Sequence, residues 1–387
     1  MRPTTLAVLL FLFLGASFTA GTLKAFVGGD ALAWQVGTLS IPALFVAIIF
    51  SNFRRQHRLL RLAGKITSVA MGLLNFAFLA ALFCWPVLWL AQRWGISVSQ
   101  AEIAGTLFTL AVLVACYGVA NAARLRITRY TVHLRHLPAA WQGREVALVS
   151  DIHIGAIRGP GFVRDIVDRL KALRPAAVFI PGDMFDGAKV DLARAVEPWR
   201  ELRAPAGTYF VTGNHDEFVD RAPYIAALRS VGITVLHNEK VTVDGLQIVG
   251  IHDFETHRAP LFRELLRQAR IDPDQPSILL SHRPAHLDVV AEAGISLQLS
   301  GHTHAGQFPL WTLLVRQIYG RFAYGLNRLG SLQVVTSSGA GSGGPPLRVG
   351  TRSEIVILQL QTAIDESGPK AEAGPERREL QTQDVEA

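Results

Sequence analysis

Polar side chains of the kinds that bind metal ions follow five apolar stretches in the second half of the chain, each where a predicted strand ends. They are Asp151-Ile152-His153, Gly182-Asp183-Met184-Phe185-Asp186, Gly213-Asn214-His215-Asp216, Ser281-His282-Arg283-Pro284 and Ser300-Gly301-His302-Thr303-His304. In open α/β sheets, ligands bind at the carboxyl ends of the strands. Carboxylates and imidazoles without thiolates suit manganese, iron or zinc. The pattern therefore predicts a metal site assembled from several loops.

The number of these side chains indicates two metal ions rather than one tetrahedral zinc. Two ions about 4 Å apart form a clamp for in-line displacement at phosphorus. Each motif alone is weak evidence, because Gly-Asp is a common turn and Gly-Asn-His-Asp also fits a turn followed by a helix cap. Five such motifs in succession favour a metal site over structural turns. A cysteine-based site is excluded, because both cysteines, Cys84 and Cys116, lie in apolar stretches.

The elements that must position these residues alternate between short β-branched stretches and amphipathic ones. Strands are predicted at 146–152, 177–181, 209–212, 234–236, 246–251, 277–280, 296–299, 332–335 and 354–360, and helices at 161–173, 192–202, 222–230, 259–269 and 285–293. The early alternation predicts a largely parallel sheet covered by helices, and the later strand-rich part predicts a second sheet packed on the first.

The first 140 residues have the composition of a membrane anchor. Four stretches, 6–23, 31–50, 66–91 and 103–123, contain no charged residue and are long enough to cross the hydrocarbon core of a bilayer. Buried helices of a soluble core are the alternative, which four consecutive uncharged stretches disfavour. The first stretch also fits a cleaved signal sequence, because it follows Arg2 and ends in small residues.

The net charge of +7 at first suggests a nucleic-acid partner. Residues 1–140, however, contain twelve Lys and Arg against two acids, a charge of +10, whereas the remainder contains 26 bases and 29 acids, a charge of −3. The bases cluster after the second and fourth apolar stretches. The positive-inside rule then places everything after the fourth stretch in the cytoplasm, in a multi-pass protein of the inner (plasma) membrane. Nucleic acid is therefore an unlikely partner.

The five motifs together resemble those of the calcineurin-like metallophosphoesterase superfamily. The resemblance covers residues 143–362 and extends to its membrane-associated bacterial branch through Ser300–Gln307, Arg321–Gly325, Ser338–Gly341 and Arg352–Ile355. It implies a two-sheet α/β sandwich after the four-helix transmembrane region. The expected division is an anchor at 1–140, a metallophosphoesterase domain at 141–362 and a disordered polar tail at 363–387.

The resemblance also implies a role for each residue. Asp151, His153 and His304 would bind one divalent ion, Asn214, His282 and His302 would bind the other, and Asp183 would bridge the two. A hydroxide between the ions would attack phosphorus. His215 would protonate or stabilise the leaving oxygen, and Asp186 would orient His215. Arg158 and Arg283, beside the ligand loops, are equally compatible with substrate binding and with a solvated surface.

These expectations describe a metal-dependent phosphoesterase that hydrolyses phosphodiester or pyrophosphate bonds, with a phospholipid or nucleotide-linked lipid as the candidate substrate. Two alternatives stay open, a phosphodiesterase for soluble nucleotides and a non-catalytic membrane sensor or scaffold. A transporter is disfavoured, because the apolar stretches contain no charged residue at their centres. The sequence leaves the identity of the metal and the oligomeric state undetermined.

Overall fold

Four long apolar helices come first along the chain. In this computed structural model, which describes residues 3–55 and 57–363, they are α1 (Pro3–Val27), α2 (Ala31–Arg54), α3 (Arg58–Arg93) and α4 (Gln100–Ala123). All four are long and apolar enough to cross a membrane. The 36 residues of α3 span about 54 Å, more than the roughly 30 Å of a hydrocarbon core. Its basic first turns therefore extend beyond the apolar part.

The rest of the described chain alternates strands and helices. The strands are β1 (Leu125–Leu134), β2 (Glu145–Leu148), β3 (Val178–Pro181), β4 (Thr208–Val211), β5 (Thr234–Val235), β6 (Glu239–Val243), β7 (Leu246–Gly250), β8 (Ser277–Leu280), β9 (Leu297–Ser300), β10 (Gly325–Leu329), β11 (Leu332–Thr336) and β12 (Ser353–Thr362). The helices are α5 (Pro160–Leu173), α6 (Leu192–Val196), α7 (Ala222–Ser230), α8 (Asp253–Thr256), α9 (Ala259–Gln268), α10 (Leu287–Glu292) and α11 (Pro309–Tyr319).

The strands form two six-stranded sheets. The first has the order β1-β12-β2-β3-β4-β5 and the second the order β10-β11-β9-β8-β7-β6. Strands β2 to β5 are parallel to one another, as are β7, β8, β9 and β11. The carboxyl ends of both parallel sets carry the loops with the predicted ligands.

The two sheets pack face to face, and helices cover their outer faces. One buried cluster contains side chains from both sheets, among them Leu148, Phe179, Leu280 and Leu299. Residues of α5 and α7 form a second cluster with the outer face of the first sheet, and α9 and α10 do the same for the second sheet. Strands covered on both faces have nearly continuous apolar sequences, as β3 and β8 do. The predicted two-sheet sandwich is confirmed.

The structure differs from the sequence predictions at the sheet edges. Strand β1 lies within the range expected to be anchor, yet it pairs with β12 over ten residues and belongs to the first sheet. Its two arginines, Arg126 and Arg129, resemble a basic membrane flank, which conceals the strand pattern. Strands β6 and β10 and helix α11 are also absent from the prediction. The predicted disordered tail lies, from residue 364 onward, outside the described residues.

Candidate active site

The predicted metal ligands meet at one end of the sandwich, where parallel strands of both sheets end. Asp151 and His153 follow β2, Asp183 follows β3 and Asn214 follows β4; His282 follows β8, and His302 and His304 follow β9. Because the two sheets face each other, their carboxyl ends place these loops opposite one another. Three groups of side chains have ligand atoms within 4.8 Å of one another. The groups are Asp151, His153 and His304; His153, Asp183 and His215; and Asp151, Asp183 and His282.

The backbone at these positions is in an uncommon conformation. Asp151, His153, Asp183, His302 and His304 all have positive φ, between 49° and 69°. Left-handed backbone costs of the order of 1–3 kcal/mol for a non-glycine residue, and it occurs mostly where function requires it. Here it turns the chain sharply after each strand, at the end of the sandwich where the ligand atoms meet.

The ligand atoms are close but mostly not hydrogen-bonded to one another. The Nε2 atoms of His153 and His304 lie 3.0 Å apart. Asp183 Oδ2 lies 3.2 Å from His282 Nε2 and 3.8 Å from His153 Nε2. His304 Nε2 is 3.5 Å from Asp151 Oδ1. Several lone pairs are therefore directed at the same small volume, which is the arrangement that a cation satisfies.

The protonation of these groups fits a cation-binding role. Burial lowers the pKa of His153 to about 3, and it also lowers the pKa values of His302 and His304 well below the ordinary value. These three imidazoles are therefore neutral, as metal ligands must be. Burial would lower the pKa of His282 as well, but the charge of Asp183 raises it to about 10. The His282–Asp183 pair thus holds one proton that a cation would displace.

Asn214 and His302 lie at the edge of the cluster. Within the described chain, the buried Oδ1 atom of Asn214 has no hydrogen-bond partner. The ring of His302 lies 5.0 Å from the ring of His282, and its backbone N–H donates to the carboxylate of Asp151 at 3.0 Å. A buried carbonyl oxygen without a partner costs free energy. Coordination of a cation by Asn214 would remove that cost, so the donor set fits two divalent ions.

His215 borders the cluster, but Asp186 does not hold it. The backbone N–H of His215 donates to Asp183 at 2.8 Å, and its ring is 4.7 Å from that of His153. Its buried Nδ1 has no hydrogen-bond partner among the described residues. Asp186, whose pKa burial raises to about 6, accepts instead from the backbone N–H of Ala188 at 3.0 Å. Among the described residues, no hydrogen bond joins the side chains of His215 and Asp186, so the orienting role of Asp186 stays a prediction.

Asp216 is a positioning residue that the sequence analysis missed. It is fully buried and accepts from the backbone N–H groups of Phe185 and Gly213, both at 2.8 Å. It therefore ties the loop after β3 to the loop after β4. Burial raises its pKa to about 8. The sequence did contain a signal for this role. Asp216 directly follows Asn214 and His215, so it must lie in the same enclosed loop as they do.

Arg348 supports the cluster from the loop before β12. Its buried guanidinium donates to the carbonyl oxygens of Ser338, Gly341 and His304 at 2.6, 2.7 and 3.2 Å. It thereby fixes the loop that carries His304. No sequence signal singles out Arg348, because it is one of many arginines in the chain and the glycine-rich stretch around it contains no metal-binding motif.

The two arginines considered for substrate binding have structural partners. Arg158 donates to the carbonyl of Ala122 in α4 at 3.1 Å and lies over the ring of Phe162. Arg283 forms a bidentate pair with Asp253 at 2.8 and 3.1 Å. Arg158 therefore faces the apolar helices, whereas Arg283 lines a cavity beside the cluster.

The ligand-bearing end of the sandwich contacts the apolar helices through several loops. The loop after β3 donates from Lys189 N–H to the carbonyl of Asn52 in α2 at 3.0 Å. The loop after β9 places Phe308 at 6.1 Å from Phe76 of α3. The loop before β12 contributes Leu347, which is buried in an apolar cluster with Phe76 and Phe308. The candidate site therefore lies between the sandwich and the four helices, on the side of their basic ends.

Comparison with known proteins gives the same assignment. Residues 145–306 match the calcineurin-like phosphoesterase model. A Bos taurus protein named transmembrane protein with metallophosphoesterase domain is 35% identical over 269 residues, which cover 64% of this chain and 60% of that protein. The protein of the same name from Danio rerio is 34% identical over 286 residues, covering 69% and 65%. An uncharacterized metallophosphoesterase of Helicobacter pylori is 33% identical over 220 residues, covering 56% and 59%.

The chain spans about three fifths of the length of these relatives. They come from animals as well as bacteria, so the resemblance is wider than the bacterial branch expected from the sequence. The matched residues begin with β2 and end after β9, and they include every predicted ligand. By its ligand loops and by these matches, the chain contains a calcineurin-like metallophosphoesterase domain.

Proposed function

We propose that this protein is a membrane-anchored, metal-dependent phosphoesterase whose site faces the cytoplasm. The observation that carries the proposal is the buried cluster of Asp151, His153, Asp183, His282 and His304, whose carboxylates and imidazoles point at a common volume. Without a cation, a cluster of this kind leaves buried polar atoms unpaired, and each unpaired atom costs about 1–3 kcal/mol. A non-catalytic sensor or scaffold has no need to maintain it.

The cluster divides into two halves that share a carboxylate. Asp151, His153 and His304 would hold one divalent ion, and Asn214, His282 and His302 the other, with Asp183 between them. Mixed oxygen and nitrogen donors suit manganese, iron or zinc. Bound there, such ions supply Lewis acidity to a phosphoryl oxygen and lower the pKa of a coordinated water to near neutrality.

The residues of the chain itself complete the chemistry. His215, whose Nδ1 has no partner within the described residues, is placed to deliver a proton to the oxygen that leaves phosphorus. Asp216 fixes the backbone at Gly213, before His215, and at Phe185, after Asp183. Asp186 contributes a nearby negative charge and, since it makes no hydrogen bond to His215, acts on it at most through that charge.

The cytoplasmic orientation follows from the basic ends of the helices. Arg54, Arg55, Arg58, Arg61 and Lys65 lie where α2 ends and α3 begins, and Arg124 and Arg126 follow α4. The sandwich contacts this same end of the helices, through Asn52 and Ala122. By the positive-inside rule, this end lies in the cytoplasm, in a plasma or inner membrane.

We infer a phosphodiester or pyrophosphate bond of a lipid-linked compound as the substrate. Support comes from the position of the ligand loops against the apolar helices, which brings the site close to lipid headgroups, and from the basic helix ends, which attract anionic lipids. Hydrolysis of soluble nucleotides at the same site is the alternative.

The test is hydrolysis of bis-p-nitrophenyl phosphate by the full chain in detergent with Mn²⁺. Asp183→Asn should abolish activity, and His215→Ala should reduce kcat by roughly 10²- to 10⁴-fold, the usual contribution of a general acid. His133→Ala, which removes an exposed imidazole from β1, should leave the rate unchanged. Full activity in Asp183→Asn would refute the proposed site.

A further inference from the structure

Helix α11 presents an apolar face away from the protein. It follows the loop of His304 directly, and Leu313, Leu314 and Ile318 are 65%, 47% and 62% exposed. The opposite side packs inward, where Thr312 donates to the carbonyl of Ala305 at 3.0 Å. Contiguous apolar side chains on a surface mark contact with another apolar partner.

The apolar face continues the surface of the four helices. Phe308, just before α11, forms an edge-to-face pair with Phe76 of α3 at 6.1 Å. Trp311, in the first turn of α11, forms another with Phe11 of α1, also at 6.1 Å. The helix therefore begins against the membrane anchor and extends from it along the site.

The contacts of α11 with the anchor lie nearer the middle of the apolar helices than the basic helix ends do. Phe308 shares a buried cluster with Ala115, which is about two turns, roughly 12 Å, before the end of α4 at Ala123. Amphipathic helices that lie in a membrane surface bury their apolar face about 5–10 Å into the boundary of headgroups and acyl chains. The position of α11 along the anchor thus matches the depth of one leaflet rather than of the aqueous phase.

The opposite rim of the site is apolar too. Phe218, Val219 and Phe254 are exposed, and the ring of Phe218 lies 4.4 Å from that of His215. This rim reaches the anchor through the loop after β3, where a Cβ added at Gly187 would lie 2.7 Å from the ring of Phe53 in α2. Apolar side chains therefore flank the catalytic cluster on both sides, where the sandwich meets the anchor.

We propose that α11 is an interfacial membrane helix, which inserts its apolar face among the acyl chains and admits a lipid-borne phosphoester to the site from within the leaflet. This inference rests on the proposed membrane anchor and phosphoesterase function. A cavity of about 560 Å³ beside the cluster is lined by Arg283, Ile318 and Tyr319, among others. Because Tyr319 also lies 6.1 Å from His302, this cavity joins the far end of α11 to the ligands. An acyl chain along α11 would place its phosphate near Arg283.

The depth of α11 can be measured without activity. A spin label at Leu314→Cys, in a Cys84→Ala/Cys116→Ala chain reconstituted in phosphatidylglycerol–phosphatidylcholine vesicles, should collide with oxygen and be shielded from an aqueous nickel chelate. Leu261→Cys on α9, an exposed leucine far from the anchor, is the matched control and should show the reverse. If the chelate reaches the label at 314, the proposal is overturned. It is also overturned if neither reagent reaches the label because a second copy of the chain covers it.

A second measurement keeps both cysteines and compares two substrates with the same scissile bond, p-nitrophenyl ethyl phosphate in solution and p-nitrophenyl hexadecyl phosphate in the vesicles. Leu313→Gln/Leu314→Gln should retain the rate on the ethyl ester and lose most of the rate on the hexadecyl ester. Equal retention of both rates would contradict the role of α11. If the wild-type chain hydrolyses neither ester, the proposed function fails, and the depth measurement still decides whether α11 lies in the membrane.

Discussion

The side-chain amide of Asn121 in α4 donates a hydrogen bond of 3.0 Å to the backbone carbonyl of Arg348. The guanidinium of the same arginine donates to the backbone carbonyl of His304, and its backbone N–H donates to the carbonyl of Gly118 in α4. A single residue therefore connects an apolar helix to a predicted metal ligand. The anchor is thus part of the scaffold that positions the site, in addition to any role in location.

Asn121→Ala should loosen the loop before β12. The amide also donates to the carbonyl of Thr351 at 2.9 Å, so its removal leaves two carbonyl groups unpaired at a cost of roughly 1–3 kcal/mol. Hydrogen exchange measured by mass spectrometry should accelerate by about tenfold or more in residues 345–351. Asn75→Ala is the control, because the Nδ2 of Asn75 has no hydrogen-bond partner within the described part of the chain. Unchanged exchange in Asn121→Ala would show that the helix does not restrain the loop.

Arg348→Met should weaken one of the two proposed metal positions. Methionine fills a similar volume but removes the donors to Ser338, Gly341 and His304, which leaves buried carbonyls unpaired. With His304 released, the manganese content measured after desalting should fall from about two ions per chain toward one. Arg328→Met, which replaces an exposed arginine in β10, should retain the full content. Equal metal content in both variants would exclude a supporting role for Arg348.

The sequence predicts the site better than it predicts the surroundings. Asp151, Asp183 and His282 follow strands whose continuous apolar character is visible in the sequence, and parallel strands end together. Strand β1 could not be distinguished from a basic flank, since Arg126 and Arg129 continue the basic residues that follow the last apolar helix. The docking of the sandwich on the anchor depends on contacts such as that between Asn121 and Arg348, which are 227 residues apart in the sequence. No local sequence pattern reveals such a contact, because tertiary packing decides which distant residues meet.

Mn²⁺ should stabilise the folded chain. The buried cluster exists only in the folded state, so an ion at 100 times its Kd adds about 2.7 kcal/mol to the free energy of unfolding, which corresponds to a rise in Tm of roughly 5–10 °C for a domain of this size. A thermal melt in detergent with Mn²⁺, compared with one in EDTA, measures the rise. Asp183→Asn should abolish most of it, because Asp183 belongs to two of the three ligand groups. A rise of the same size in that variant would indicate that the ion binds elsewhere.

Gly118→Ala should disturb the site from within the anchor. A Cβ at this position would lie 2.7 Å from Cδ2 of Leu347 and 3.0 Å from Val349, which is closer than packed side chains allow. Such overpacking costs typically 1–3 kcal/mol, and here the displaced loop is the one that carries Arg348. We expect a lower Tm and a lower rate on bis-p-nitrophenyl phosphate.

Gly105→Ala is the matched control, because it lies on the same helix and a Cβ there meets nothing within 4 Å. A double-mutant cycle identifies the cause. In a Leu347→Ala background the two closest contacts of a Cβ at Gly118 are absent and only the one with Val349 at 3.0 Å remains. Most of the additional loss of Tm caused by Gly118→Ala should therefore disappear, even though Leu347→Ala alone costs about 2–5 kcal/mol. If the two losses instead add, Gly118 acts through the helix backbone, and the contact with Leu347 does not transmit the effect to His304.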